Sequence, residues 1–85
     1  MPSILLGPQI RAARGLLSWS QIKLSKKAGV GLSTVRRMEN VEGVVSGYIE
    51  SAIRIRNALE EAGVIFIEQD EEGGAGVRLK RPLHT

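Results

Sequence analysis

QIKLSKKAGVGLSTVRRMEN, residues 21–40, is the stretch whose reading decides the fold. Leu24 and Ala28 fall four apart, and Val35 and Met38 three apart, so each half of the stretch lays an apolar stripe along one face of a short helix. Between the stripes lie Ala28, Gly29 and Val30. Glycine at this point can take the left-handed conformation that ends a helix without a Cβ clash, and Val30 then drops into the gap between the two helices. Ser25 is small, which lets the helices cross closely at a steep angle. The expectation is helix, tight turn, helix.

Working outward, Gly7 and Pro8 fit the cap and first position of an earlier helix, because proline there loses only a hydrogen bond that a helix start lacks anyway. Ile10, Ala13 and Leu17 form its stripe, and Gly15 in its middle weakens it by up to about 1 kcal/mol relative to alanine. Before it, residues 1–6 make either a loose arm or a short segment packed on the core. Ser20 is placed to cap the helix that Gln21 opens. Downstream, residues 40–47 (NVEGVVSG) read as a loop, with Ser46 or Gly47 capping a fourth helix over residues 48–62. Tyr48, Ala52, Ile55, Leu59 and Ala62 repeat at spacings of four and three, and Ile49 and Ile53 widen that face. This is more apolar surface than one small domain needs, so Ile49, Ile53 or Ile55 is expected to be available to another subunit.

After Gly63, with its left-handed cap, the period of the pattern changes from 3.6 to 2. VIFIEQ (64–69), an acidic glycine-rich DEEGGAG (70–76) and VRLKR (77–81) read as a β-hairpin. Val64 and Phe66 share one face of the first strand, and Ile65 and Ile67 the other. A lone two-stranded hairpin is marginal in water, which favours pairing of two chains, by joining hairpins or by packing hairpin on helix. The alternative is a hairpin folded over its own core, leaving a monomer. His84 lies in the tail that follows and is read as inert.

Eighty-five residues suit one domain with a modest core that often leans on a partner subunit. The absence of cysteine excludes a disulfide framework and a thiolate metal site, and fits a reducing cytoplasm. No apolar run is long enough to cross a bilayer, and MPSILLG lacks the flank and length of a signal peptide, so a soluble, cytoplasmic protein without membrane contact is expected. The charge is divided unevenly. Residues 1–40 carry seven basic side chains against Glu39 alone, whereas residues 41–85 carry five basic and eight acidic ones. A basic half holding two short crossed helices is the electrostatic footprint of a nucleic-acid binder. Solvated surface lysines are the bland alternative.

The twenty-residue pattern resembles the DNA-binding helix-turn-helix of the phage repressor and Cro family. Gln21, Leu24, Ser25, Ala28, Gly29, Val30, Val35, Met38, Glu39 and Asn40 carry the resemblance, and RAARGLLSWSQ (11–21) looks like the family's first helix and its link to the second. The likeness covers about the first sixty residues in architecture. It implies a four-helix repressor-like DNA-binding domain (8–63, helix-turn-helix 21–40); with the C-terminal β-hairpin (64–81) that the pattern gives, a candidate dimerisation element, the expectation is one mainly α domain of residues 1–85. It also implies that Arg14 pairs with Glu39, pinning the first helix to the end of the third, where a surface arginine touching phosphate is the alternative. Trp19 falls where an apolar residue packs against the helix ends, in preference to stacking on a base.

The same resemblance places the DNA contacts. Ser20 and Gln21 would meet the phosphate backbone at the positive end of the second helix, and Lys26 and Lys27 would face phosphate. Leu32, Ser33, Arg36 and Arg37 project from the face opposite Val35 and Met38, with Thr34 at the border. Arg37 is the first choice for reading sequence, because a guanidinium can bond both O6 and N7 of guanine. Ser33 is permissive, Leu32 can cover a thymine methyl, and Arg36 is assigned to phosphate ahead of a base. Gly31 stands where the family usually has serine or threonine, so the third helix is weakly capped. Asn40 closes the motif, and the loop after it would run along the DNA backbone.

These observations lead to a sequence-specific double-stranded DNA-binding regulator, expected to act as a homodimeric repressor on an inverted repeat. One alternative is an antitoxin that represses its own operon and holds a toxin through the acidic hairpin. Another is an adaptor whose helix-turn-helix binds protein. No catalytic residues, cofactor or metal are expected: the chain offers no nucleophilic cysteine, no phosphate-cradling loop and no spaced carboxylate pair, and the glycines of EEGGAG follow no strand-to-helix switch.

Overall fold

Helix α1 (Gly7–Leu17) begins on a glycine for a steric reason. A methyl group on Gly7 would collide with the main-chain oxygen of Val41 and lie 2.8 Å from that of Met38, so the start of α1 rests directly on the backbone leaving the third helix. The protein is described here by a computed structural model covering Leu5 and residues 7–42 and 48–82. Leu5 packs in the core, and the other residues of the expected arm or packed segment, 1–4 and 6, lie outside the described ones. Ile10 and Ala13 are fully buried and Leu17 packs at the margin, as their spacing predicts.

The end of α1 is a Schellman motif. Trp19 N–H donates to the Arg14 carbonyl at 3.0 Å and Ser18 N–H to that of Gly15 at 3.2 Å, with Ser18 itself left-handed at φ 57°. Helix α2 (Gln21–Ala28) is capped by Ser20, whose Oγ accepts from the Lys23 N–H at 3.0 Å, and closes at Gly29 with φ 67°. Helix α3 (Leu32–Glu39) follows three residues after the end of α2, and its cap residue Gly31 makes no side-chain hydrogen bond, as the missing serine or threonine implies. Ser25 does more at the crossing than stay small. Its hydroxyl donates to the Val30 carbonyl at 2.5 Å and so holds the turn.

Helix α4 (Ile49–Glu61) starts one residue later than its pattern suggests, with Tyr48 as the cap residue and no side-chain cap bond. The expected caps Ser46 and Gly47 lie outside the described residues, as does His84. Arg54 ties α4 to the turn, donating to the Gly29 carbonyl at 3.3 Å and to Glu50 at 3.1 Å. Ile55 is fully buried beside Leu59, so of the three isoleucines expected to be available only Ile49 and Ile53 are exposed. Ile55 sits in the centre of the stripe, whereas the other two sit on its flank.

Strands β1 (Val64–Ile67) and β2 (Gly76–Leu79) form an antiparallel hairpin with Val64 opposite Leu79 and Phe66 opposite Val77. Lys80 N–H extends the ladder to the Gly63 carbonyl at 2.7 Å. At the turn, Asp70 Oδ1 accepts from the amides of Glu72 and Gly73. The hairpin folds over its own core, the arrangement expected above of a monomer: Val64 and Phe66 are buried with Ile55 and Leu59, and the Arg56 guanidinium lies over the Phe66 ring at 4.5 Å. Only the opposite face, Ile65 and Ile67, stays open, about 40% exposed. Gln9 of α1 closes the hairpin from inside, its buried amide donating to the carbonyls of Gly76 at 3.0 Å and Ile67 at 3.3 Å.

Candidate nucleic-acid interface

Helix α3 is divided lengthwise by burial. Val35 and Met38 are fully buried and Glu39 nearly so, while Ser33, Arg36, Arg37 and Asn40 are exposed and Leu32 and Thr34 are half-buried at the borders. The packed side is anchored by charge as well as by apolar contact. Arg14 of α1 grips the Glu39 carboxylate with two bonds, Nε to Oε2 at 2.6 Å and Nη2 to Oε1 at 2.8 Å. Its remaining Nη1 donates to the Trp19 carbonyl at 2.9 Å. The bonds to Glu39 raise the proton affinity of the Arg14 guanidinium above the ordinary arginine value, against the opposing pull of desolvation. A geometry of two parallel bonds fixes orientation as well as distance.

Arg11 adds a contact that the sequence reading did not single out. Its Nη1 donates to the Glu39 main-chain oxygen, satisfying a carbonyl in the last turn of α3. The spacing of Arg11 and Arg14, three apart on α1, was the available signal that both reach the same neighbour. Gln9 had no such signal, since its partners lie 58 and 67 residues away in the chain.

The residues expected to meet DNA fall into three groups. Ser33, Arg36, Arg37 and Asn40 share the exposed side of α3. Ser20 and Gln21 lie at the start of α2, and Gln21 is brought against α3: its Nε2 donates to Glu39 Oε1 at 3.1 Å and its Oε1 accepts from Arg36 Nε at 3.4 Å. The Gln21 side chain is thus engaged inside the protein, and what it keeps for an outside partner is the main-chain N–H of a first helical turn. Lys26 and Lys27, both exposed, sit in the last turn of α2, about 8 Å along the axis from Gln21. There they also complement the negative end of the helix dipole. Trp19 is half-buried against the core, with Lys23 Nζ at 5.4 Å from its ring centre.

Among the described residues, no cluster of acidic and histidine side chains is grouped to hold a metal ion, and no helix is long and apolar enough to cross a membrane.

Two short helices crossing over a three-residue turn, the second with one face locked and the other basic, define a helix-turn-helix. The Helix-turn-helix family model matches residues 10–46, which supports a helix-turn-helix of the phage repressor and Cro type in this part of the chain. The match supports a DNA-binding transcription regulator. No curated protein matches the chain.

Proposed function

We propose that the protein binds double-stranded DNA in a sequence-specific manner as a homodimeric, cytoplasmic transcriptional repressor. The observation that carries this reading is the division of α3: the side holding Val35, Met38 and Glu39 is fixed in the core, and the side holding Ser33, Arg36 and Arg37 is exposed. A helix held in this way offers its free side to a major groove, with base edges met by its first turns. Arg37 is the base reader in this proposal, supported by its exposure and by its lack of a partner among the described residues. Ser33 and Leu32 flank it. Thr34 lies at the rim, while Ser20, the Gln21 main chain, Lys26, Lys27 and Asn40 serve the phosphate backbone.

The dimer is supported by the exposed isoleucines of the C-terminal half, Ile49 and Ile53 on α4 and Ile65 and Ile67 on β1. The antitoxin alternative draws on the tip of the hairpin, where Glu68, Asp70, Glu71 and Glu72 are all exposed and offer a basic partner protein an acidic surface.

The test is selection of bound duplexes from a random DNA pool by the purified protein at physiological salt. Recovery of an inverted repeat with half-site centres about 34 Å apart is the expected result. Recovery of no motif overturns the reading and turns attention to co-purifying proteins.

A further inference from the structure

We infer that Gln21 is a positioning residue that sets the orientation of Arg36 on DNA by tying its guanidinium to the buried Arg14–Glu39 pair; the inference rests on the DNA-binding reading above. The polarity of the chain of bonds gives the reason. Both Glu39 carboxylate oxygens are held by Arg14, and an ionised carboxylate only accepts hydrogen bonds. The Gln21 amide must therefore turn its NH2 end inward to Glu39, at 3.1 Å, and its carbonyl end outward. A carbonyl turned outward on the DNA-facing side is an acceptor, and the donor that meets it is Arg36 Nε, at 3.4 Å.

The consequence separates two adjacent arginines. Arg37 has no partner among the described residues and is free to sample rotamers. Arg36 is held through Nε, which leaves Nη1 and Nη2 for an outside acceptor pair. A guanidinium already oriented loses less conformational entropy on contact, so the bond through Gln21 contributes to recognition without the Gln21 side chain touching DNA. Guanine and phosphate both present acceptors suited to those two nitrogens.

The experiment is a double-mutant cycle with Gln21→Met, Arg36→Ala and the combined variant, measured on the duplex that the wild-type protein selects. Methionine keeps the length and helix propensity of glutamine but neither of its hydrogen bonds. Gln21→Met is expected to weaken binding about three- to tenfold when Arg36 is present and less than about twofold when it is absent. An equal loss in both backgrounds means that Gln21 only braces α2 against α3, and overturns the inference while leaving DNA binding intact. A wild-type protein that selects no duplex overturns the DNA-binding reading itself. Loss confined to one base position assigns Arg36 to a base edge, and uniform loss with a shallower salt dependence assigns it to phosphate; either supports its being held by Gln21. A measurement on the free protein covers the case in which a variant folds poorly. The Arg36 Nε–H is expected to exchange more slowly with water than that of Arg37 in the wild type, and equal exchange overturns the inference.

Discussion

Ser18 holds a left-handed backbone at φ 57° to complete the motif that ends α1, a conformation that glycine adopts freely and L-residues do not. Ser18→Gly is therefore expected to stabilise the protein by about 0.5–1 kcal/mol, the relief of strain being partly offset by the freer unfolded chain; thermal unfolding measures it. The Arg14–Glu39 pair works in the opposite direction. Glu39 is 2% exposed and Arg14 21%, so Arg14→Ala leaves a buried carboxylate without its two strongest donors. A loss of about 2–4 kcal/mol in urea unfolding is expected, at or below the range for a fully buried pair because water reaches the arginine side. Raised arginine proton affinity contributes stability at every pH below the ordinary arginine value and loses it only above, so the Arg14 contribution stays constant across the neutral range. Arg37→Ala should relax preference at one base position in each half-site, worth about 1–3 kcal/mol of discrimination. An unchanged selected motif removes Arg37 from direct reading.

At the scale of elements, the hairpin separates fold from assembly. Phe66 faces the chain's own core and Ile65 faces out, although they are neighbours on one strand. Phe66→Asp would unfold the protein and say nothing about a partner. Ile65→Lys keeps the core and places like charges wherever two outer faces meet, so it should yield a folded monomer by light scattering; a dimer of normal mass moves the interface to Ile49 and Ile53 of α4. Pattern alone gives the two faces of β1 but not which one turns inward, because that depends on α1 and α4 covering Val64 and Phe66. The same limit applies to Ile55, whose stripe was legible and whose place at its centre was not. The helix-turn-helix was readable because its determinants are local: Leu24, Gly29, Val30, Val35 and Met38 fall within fifteen residues and meet one another. Gln9 and Arg11 act across the fold on main-chain oxygens, and a carbonyl leaves no mark in the sequence. Position along α3 alone assigns Arg36 to phosphate, and its bond to Gln21 appears only when the start of α2 is set beside α3.

For the whole molecule, charge follows chain position. The surplus of basic groups before residue 40 accompanies the first three helices, and the acidic groups gather at α4 and the hairpin tip. Such a molecule approaches a polyanion with one end forward, and its affinity should fall steeply with salt. Replacing Lys26 and Lys27 together with alanine should reduce the slope of log affinity against log salt by about two if both meet phosphate. An unaltered slope leaves them the smaller task of complementing the α2 dipole. The last turn of α3 meets this approach already clamped, with Arg14 on the Glu39 carboxylate, Arg11 on its carbonyl and Gly7 against the backbone beyond. Three grips spaced along α1 prevent α3 from either rolling about its axis or sliding along it. The helix therefore behaves as a keyed shaft: a bound duplex must match its angle as well as its chemistry, and a change in that angle requires moving α1.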